Sequence, residues 1–139
     1  MMAHFFADTS VLAEDNGEPA GFIVGFRMPP RPESVFVWQV ATSPDFRGRG
    51  LATSMMAELL QRHVEAGGSY LEATVTPSNT ASQRLFRGVA EKLGVACNET
   101  LEFARDHFPG GEHEEEHLFR IGPFDAGDVH RAFAGATKN

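Results

Sequence analysis

Apolar positions in the first third of the chain come in short runs bounded by turn residues. Residues 10–14 predict a strand, and Asp15-Asn16-Gly17 after it is a strong hairpin turn signal. Residues 19–28, rich in Val, Ile and Phe, predict a second strand. Pro29-Pro30-Arg31-Pro32 predicts a stiff loop, because three prolines remove donors and fix φ. Residues 34–42 predict a third strand, whose β-branched and aromatic run suggests burial on both faces. The opening therefore reads as an antiparallel meander.

The period then changes. Leu51, Met55, Leu59 and Val64 fall at helical spacing, predicting a helix over 51–66 that Gly67-Gly68 stops. Residues 70–75 predict a strand, and Pro77-Ser78-Asn79 supplies a break and a cap. A second helix follows, with Leu85, Phe86, Val89 and Leu93 as its apolar stripe and Gly94 as its end. Residues 95–104 and 117–121 predict two more strands around a Pro-Gly loop. The fold class is α/β (α+β): an antiparallel meander leads into a βαβ half whose strands should be parallel at the centre of a mixed sheet. Residues 1–124 read as a single domain. After Pro123 the Ala/Gly-rich tail, 125–139, is expected to fray.

Composition narrows the function classes. The 139 residues suffice for one domain, and 42% hydrophobic content is that of a globular chain. A formal charge of −7 opposes nucleic acid and anionic lipid and favours cationic substrates. The single Cys97 excludes an intrachain disulfide and, beside Val95 and Ala96, reads as a small buried hydrophobe. No apolar run approaches the roughly 20 residues of a membrane span. The start shows no signal-peptide pattern, so the cytoplasm is the expected location.

Within this acidic chain, Arg47-Gly48-Arg49-Gly50-Leu51-Ala52 joins a predicted strand to a predicted helix. Successive backbone N–H groups there point into one concavity at the positive end of the helix dipole. Glycine lets a phosphate approach closely, and two arginines add charge. Diphosphate is the natural guest. The P-loop and dinucleotide motifs do not apply: no Lys-Ser/Thr follows the last glycine, and the G-x-G-x-x-G spacing is absent.

The segment resembles the Arg/Gln-x-x-Gly-x-Gly/Ala signature of the GNAT acetyltransferase superfamily, with Arg47, Gly50 and Ala52 at its fixed positions. Asn79-Thr80-Ala81-Ser82, Leu85-Phe86 and Gly94 resemble the superfamily's later helix, which lines the pantetheine and adenosine side of acetyl-CoA. The resemblance thus implies acetyl-CoA contacts from Val40, Thr42, Arg47, Gly48, Arg49, Gly50, Leu51, Ala52, Asn79, Ser82 and Phe86. Where many members carry a proton-donating Tyr, Phe86 has no proton to give and reads as a core aromatic.

Longer stretches are similar to diaminobutyrate acetyltransferases: Phe36-Val37-Trp38-Gln39-Val40-Ala41, residues 70–79 and Leu118-Phe119-Arg120-Ile121-Gly122-Pro123. That resemblance implies acetyl transfer to the γ-amine of L-2,4-diaminobutyrate, the step that leads to ectoine; the oligomeric state is left open by the sequence, with a homodimer among the options. It also implies a strand and two helices ahead of the hairpin, roughly forty residues, more than loop variation covers. Either they lie upstream or the chain is truncated at its acceptor wall.

Five residues are candidates at the acceptor. Trp38 either packs on the substrate's carbon chain or is a core aromatic with its N–H bonded. Thr74 and Thr76 alternate with Val75, so both face one cleft or are simply β-branched strand positions. Glu114 and Glu116 bind the substrate's ammonium groups and relay a proton, or belong to a solvated acidic loop. His113-Glu114-Glu115-Glu116-His117 spells the zinc motif H-E-x-x-H, which requires a helix that sets both His about 6 Å apart. Strand-like flanks here would separate them by about 13 Å, so no metal is expected. Two rivals stand beside this reading: a GNAT enzyme for another small amine or a peptide N-terminus, and a catalytically silent acyl-CoA-binding domain.

Overall fold

The computed structural model describes residues 2–7, 9–46, 50–103 and 115–134. Four strands come first: β1 (Met2–Ala7), β2 (Ser10–Asp15), β3 (Glu18–Met28) and β4 (Arg31–Thr42). Helix α1 (Leu51–Glu65), strand β5 (Tyr70–Val75) and helix α2 (Thr80–Leu93) follow. Strands β6 (Cys97–Phe103) and β7 (Glu116–Ile121) and helix α3 (Ala126–Phe133) complete the described elements.

The strands form one sheet in the order β1-β2-β3-β4-β5-β7-β6. The β2–β3 hairpin turns at Asn16 and Gly17, both at positive φ (54° and 82°), as its sequence signal required. β1 adds an antiparallel edge strand that the apolar pattern did not predict. β4 starts at Arg31, inside the expected proline loop. Pro32 is tolerated because β4 meets β5 only from Ser34 onward, so the missing N–H removes no bond on that side.

β4 and β5 pair in parallel across α1, as the pattern implied. The expected parallel run stops there. β7 inserts antiparallel between β5 and β6, so α2 carries the chain over the place of a strand that arrives later. The three helices contact one another on one face of the sheet. Met55, Met56, Leu59 and Leu60 of α1 are fully buried there against Val11, Ile23, Val35 and Leu71. Each such side chain contributes about 1.5–3 kcal/mol.

Two expectations are corrected. The segment after Pro123 is helical instead of frayed over 126–133. Asp125 and Asp128 form a reciprocal capping box, and Val129 and Phe133 are buried in the core. Nor is β4 buried on both faces. Val35 and Val37 sit in the core, but Trp38 is 74% exposed on the side away from the helices.

Candidate active site

The site begins at an irregularity in β4. Along β3, Val24 faces Gln39 and Gly25 faces Val37, which leaves Trp38 as the extra residue of a β-bulge. The parallel pairing with β5 ends at the same level, with Val37 opposite Ala73. Past that point β4 stays with β3 but leaves β5. A cleft opens between the two central strands, and backbone groups on the free edge of β4 face into it.

The cleft continues into a cavity of about 650 Å³ lined by Val40, Ala41, Thr42, Gly50, Leu51, Ala52, Thr53, Asn79, Ala81 and Ser82. Seven of the residues expected at acetyl-CoA thus lie around one space: Val40, Thr42, Gly50, Leu51, Ala52, Asn79 and Ser82. Arg47, Gly48 and Arg49 fall outside the described residues. Phe86 departs from the expected contacts. It is only 3% exposed, packs in the core and does not line the cavity. The apolar stripe of α2 that made it legible as a core residue also turns it inward.

The chemistry of the cavity suits an anion. Gly50 begins α1 at φ 73°, and a Cβ built there would meet no described residue within 4 Å. Among the described residues no side chain caps α1, and its first turn carries no acidic residue. The other two helices are capped, α2 by Asn79 Oδ1, which accepts from the Ser82 N–H at 3.0 Å, and α3 by its box. The first N–H groups of α1 are therefore left for a ligand, where the helix dipole favours negative charge. The N–H groups of residues 51–53 thus border the cavity at an end whose chemistry suits a diphosphate.

The described acceptor candidates lie on the opposite face, which carries no helix among the described residues. Side chains alternate along β5, so Leu71, Ala73 and Val75 enter the core while Glu72 and Thr74 face the other way. On β7, Phe119 and Ile121 enter the core, which places Glu116, Leu118 and Arg120 with Thr74. Trp38, Thr74 and Glu116 thus share one face on three adjacent strands. Trp38 is no core aromatic. Thr76 is half-buried just past the end of β5, where its carbonyl accepts from Asn79 N–H at 3.0 Å. Glu114 and His113 fall outside the described residues. Glu116 and His117 belong to strand β7, and His117 Nε2 lies 3.2 Å from Glu115 Oε1.

Sequence reading missed a charged network farther down that face. Glu72 is fully buried and bridges Arg31 at 3.0 Å and Arg120 at 3.8 Å. Burial alone would raise its carboxyl, but the Arg31 hydrogen bonds and both guanidinium charges outweigh that and hold it below the usual carboxylate range. Arg120 also lies 3.7 Å from Glu33 and stacks over the Tyr70 ring at 3.6 Å. A lone Glu in an apolar strand was its one sequence signal.

Residues 2–89 match the acetyltransferase (GNAT) family. The chain is 48% identical over 124 residues to the L-2,4-diaminobutyric acid acetyltransferase of Marinococcus halophilus, spanning 89% of this chain and 72% of that protein. The enzyme of the same description from Streptomyces coelicolor is 44% identical over 124 residues, spanning 88% and 73%. Among solved structures, diaminobutyrate acetyltransferase EctA from Paenibacillus lautus, in complex with L-2,4-diaminobutyric acid and coenzyme A, superposes with a TM-score of 0.79 at 44% identity. That match covers 86% of this chain and 72% of EctA.

Proposed function

The chain belongs to the GNAT family of acetyltransferases, and on that premise we propose that it transfers acetyl from acetyl-CoA to the γ-amine of L-2,4-diaminobutyrate. The observation that carries the reading is the bulge at Trp38, at the level where β4 parts from β5 and next to the cavity that Val40 to Ser82 line. The 40–48% identity to diaminobutyrate acetyltransferases and the likeness to EctA with both ligands bound support the choice of amine.

The reaction needs little from the protein beyond position and proton handling. The neutral γ-amine attacks the thioester carbonyl, and a backbone N–H at Val40 or its neighbour on the free edge of β4 stabilises the oxyanion. Collapse of the tetrahedral intermediate breaks the C–S bond. The nitrogen loses a proton and the departing thiolate gains one, giving the amide and CoA thiol. At neutral pH the amine enters mostly as ammonium, so a proton must leave before attack. Glu116 orients the diamine and, through water, accepts that proton; Glu114 is proposed beside it. Trp38 packs on the carbon chain, and Thr74 and Thr76 line the acceptor side. Phe86 carries no proton, so the thiolate takes its proton from solvent or, through water, from the protonated Glu116. Arg47, Gly48 and Arg49 are proposed to hold the diphosphate with Gly50.

Among the described residues no helix is long and apolar enough to cross a membrane. We place the enzyme in the cytoplasm, in the formation of ectoine and hence in osmoprotection, and propose that it works as a homodimer. The test is direct: incubation with acetyl-CoA and diaminobutyrate, followed by mass spectrometry and NMR of the product. Acetyl on the γ-nitrogen is expected. Acetyl on the α-nitrogen, or CoA release without an acetylated diamine, would overturn the reading.

A further inference from the structure

The bulge in β4 does more than open the cleft. Val37 is 4% exposed in the core, and Val40 packs against the same core three residues later. Regular alternation would put residues two apart on one face, so three apart breaks the pattern. The bulge supplies the extra residue, and both side chains between the valines, Trp38 and Gln39, project away from the core. The lip of the cleft therefore carries two adjacent exposed side chains where an unbroken strand would offer one.

The acceptor proposed above sets three demands. Its γ-amine enters the cleft, while its α-ammonium and α-carboxylate remain on the face of the acceptor candidates, a few bonds away. The acidic candidates serve the ammonium groups. The carboxylate needs donors, and among the described residues the guanidinium groups on that face, Arg31 and Arg120, are engaged elsewhere. Arg31 grips Glu72, and Arg120 lies over Tyr70, whose strand position is about 13 Å below Thr74. Gln39 stands at the lip itself, is exposed, and carries an amide with two N–H donors.

We propose that Gln39 is a specificity-determining residue whose side-chain amide donates to the α-carboxylate of the diamine. This assignment rests on the proposed function. A neutral amide suits the place, because a cation beside the cleft would repel the incoming ammonium. Selection for the carboxylate thus follows from hydrogen bonding next to Trp38, which holds the carbon chain.

The experiment compares diaminobutyrate with 1,3-diaminopropane, the same diamine without the carboxylate, in the parent enzyme, Gln39→Glu and Gln39→Leu. Loss of a hydrogen bond to a charged group should lower kcat/KM for diaminobutyrate about 10–100-fold, mainly through KM, with Gln39→Glu the worse variant. Turnover of 1,3-diaminopropane and the KM for acetyl-CoA should stay unchanged, or the former should rise in Gln39→Glu. An unchanged ratio between the two amines, or an equal loss on both, overturns the role of Gln39 alone. A parent enzyme that does not acetylate diaminobutyrate overturns this role together with the proposed substrate.

Discussion

Arg31 grips the fully buried carboxylate of Glu72 through two parallel hydrogen bonds, Nε to Oε2 at 3.1 Å and Nη2 to Oε1 at 3.0 Å. The pair ties the start of β4 to the middle of β5 across 41 residues of sequence. Arg31→Ala leaves Arg120, at 3.8 Å, as the remaining cation beside that buried carboxylate among the described residues. Loss of one partner of a buried pair costs about 3–5 kcal/mol, and the 41% exposure of Arg31 places this case near or below the lower end. Because the folded-state carboxyl lies below its ordinary value, the stability it contributes is present above the unfolded pKa. It is lost as pH falls through the folded one. Urea unfolding from pH 7 to pH 3 should show a steeper acid loss in the parent than in Arg31→Ala.

A second buried titratable group acts at higher pH. His63 on α1 is 1% exposed, and its Nε2–H donates to the carbonyls of Glu33 (3.1 Å) and Tyr70 (3.0 Å). Nδ1 is buried and has no partner among the described residues. Burial pushes the imidazole pKa down, the two carbonyls push it up, and the nearby Arg27 adds to the lowering; the net shift is downward. The folded state therefore binds fewer protons than the unfolded one below the ordinary His pKa. Stability should fall with pH in that window, by at most about 1.4 kcal/mol per pH unit. Unfolding midpoints between pH 7.5 and 5 check this, and His63→Leu should flatten that part of the curve.

Gly68 leaves room for that same ring. A Cβ there would run into the His63 imidazole, which two hydrogen bonds and an edge contact with Phe124 hold in place. Gly68→Ala should cost about 1–3 kcal/mol by overpacking. In His63→Ala the space is free, so the double variant should be more stable than the sum of single losses predicts. Additive losses in a denaturant double-mutant cycle would refute the clash.

How much of this was legible beforehand follows from what each signal depends on. Local signals carried far: β5 begins and ends as its Val, Leu and Thr run predicted, and α2 is bounded by Asn79 and Gly94 as cap chemistry requires. The cavity residues from Gly50 to Ala52 were readable because a glycine before an amphipathic helix is itself the structural device. Long-range features were not readable. Among the described strands β1 has one neighbour, and its sequence shows little alternation, so pairing with β2 creates it. The insertion of β7 between β5 and β6 is a choice of topology that no local spacing encodes. The bulge at Trp38 reads as ordinary strand, since it takes the burial of both Val37 and Val40 to reveal it. Glu72 likewise acquires its partners only when β4 and β7 arrive.

The anion end of the cavity gives a binding prediction. CoA at about 100 times its Kd should stabilise the folded chain by about 2.7 kcal/mol, seen as a rise in Tm. Gly50→Val should remove that rise. The position has φ 73°, which a β-branched residue resists, and its side chain would enter the space before α1. The variant's own Tm without ligand separates lost folding from lost binding. Equal CoA protection in parent and variant would place the diphosphate elsewhere.

Trp38 gives the prediction that reaches furthest into specificity. Its indole is 74% exposed on the face that also carries Thr74 and Glu116, the proposed acceptor side. A side chain held there by backbone geometry, and not by core packing, can be shortened with little loss of stability, within about 0.5 kcal/mol. If it measures the length of the diamine's carbon chain, the parent should favour diaminobutyrate over ornithine by about 10–200-fold, the range that one methylene commands in a snug pocket. Trp38→Ala should bring that ratio close to one by losing diaminobutyrate turnover more than ornithine turnover. The KM for acetyl-CoA should move little, because the indole stands outside the cavity lined by Val40 to Ser82. Steady-state kinetics on both diamines with both proteins decide the matter. A ratio that survives the truncation would move chain-length selection from Trp38 to the acidic end of the site.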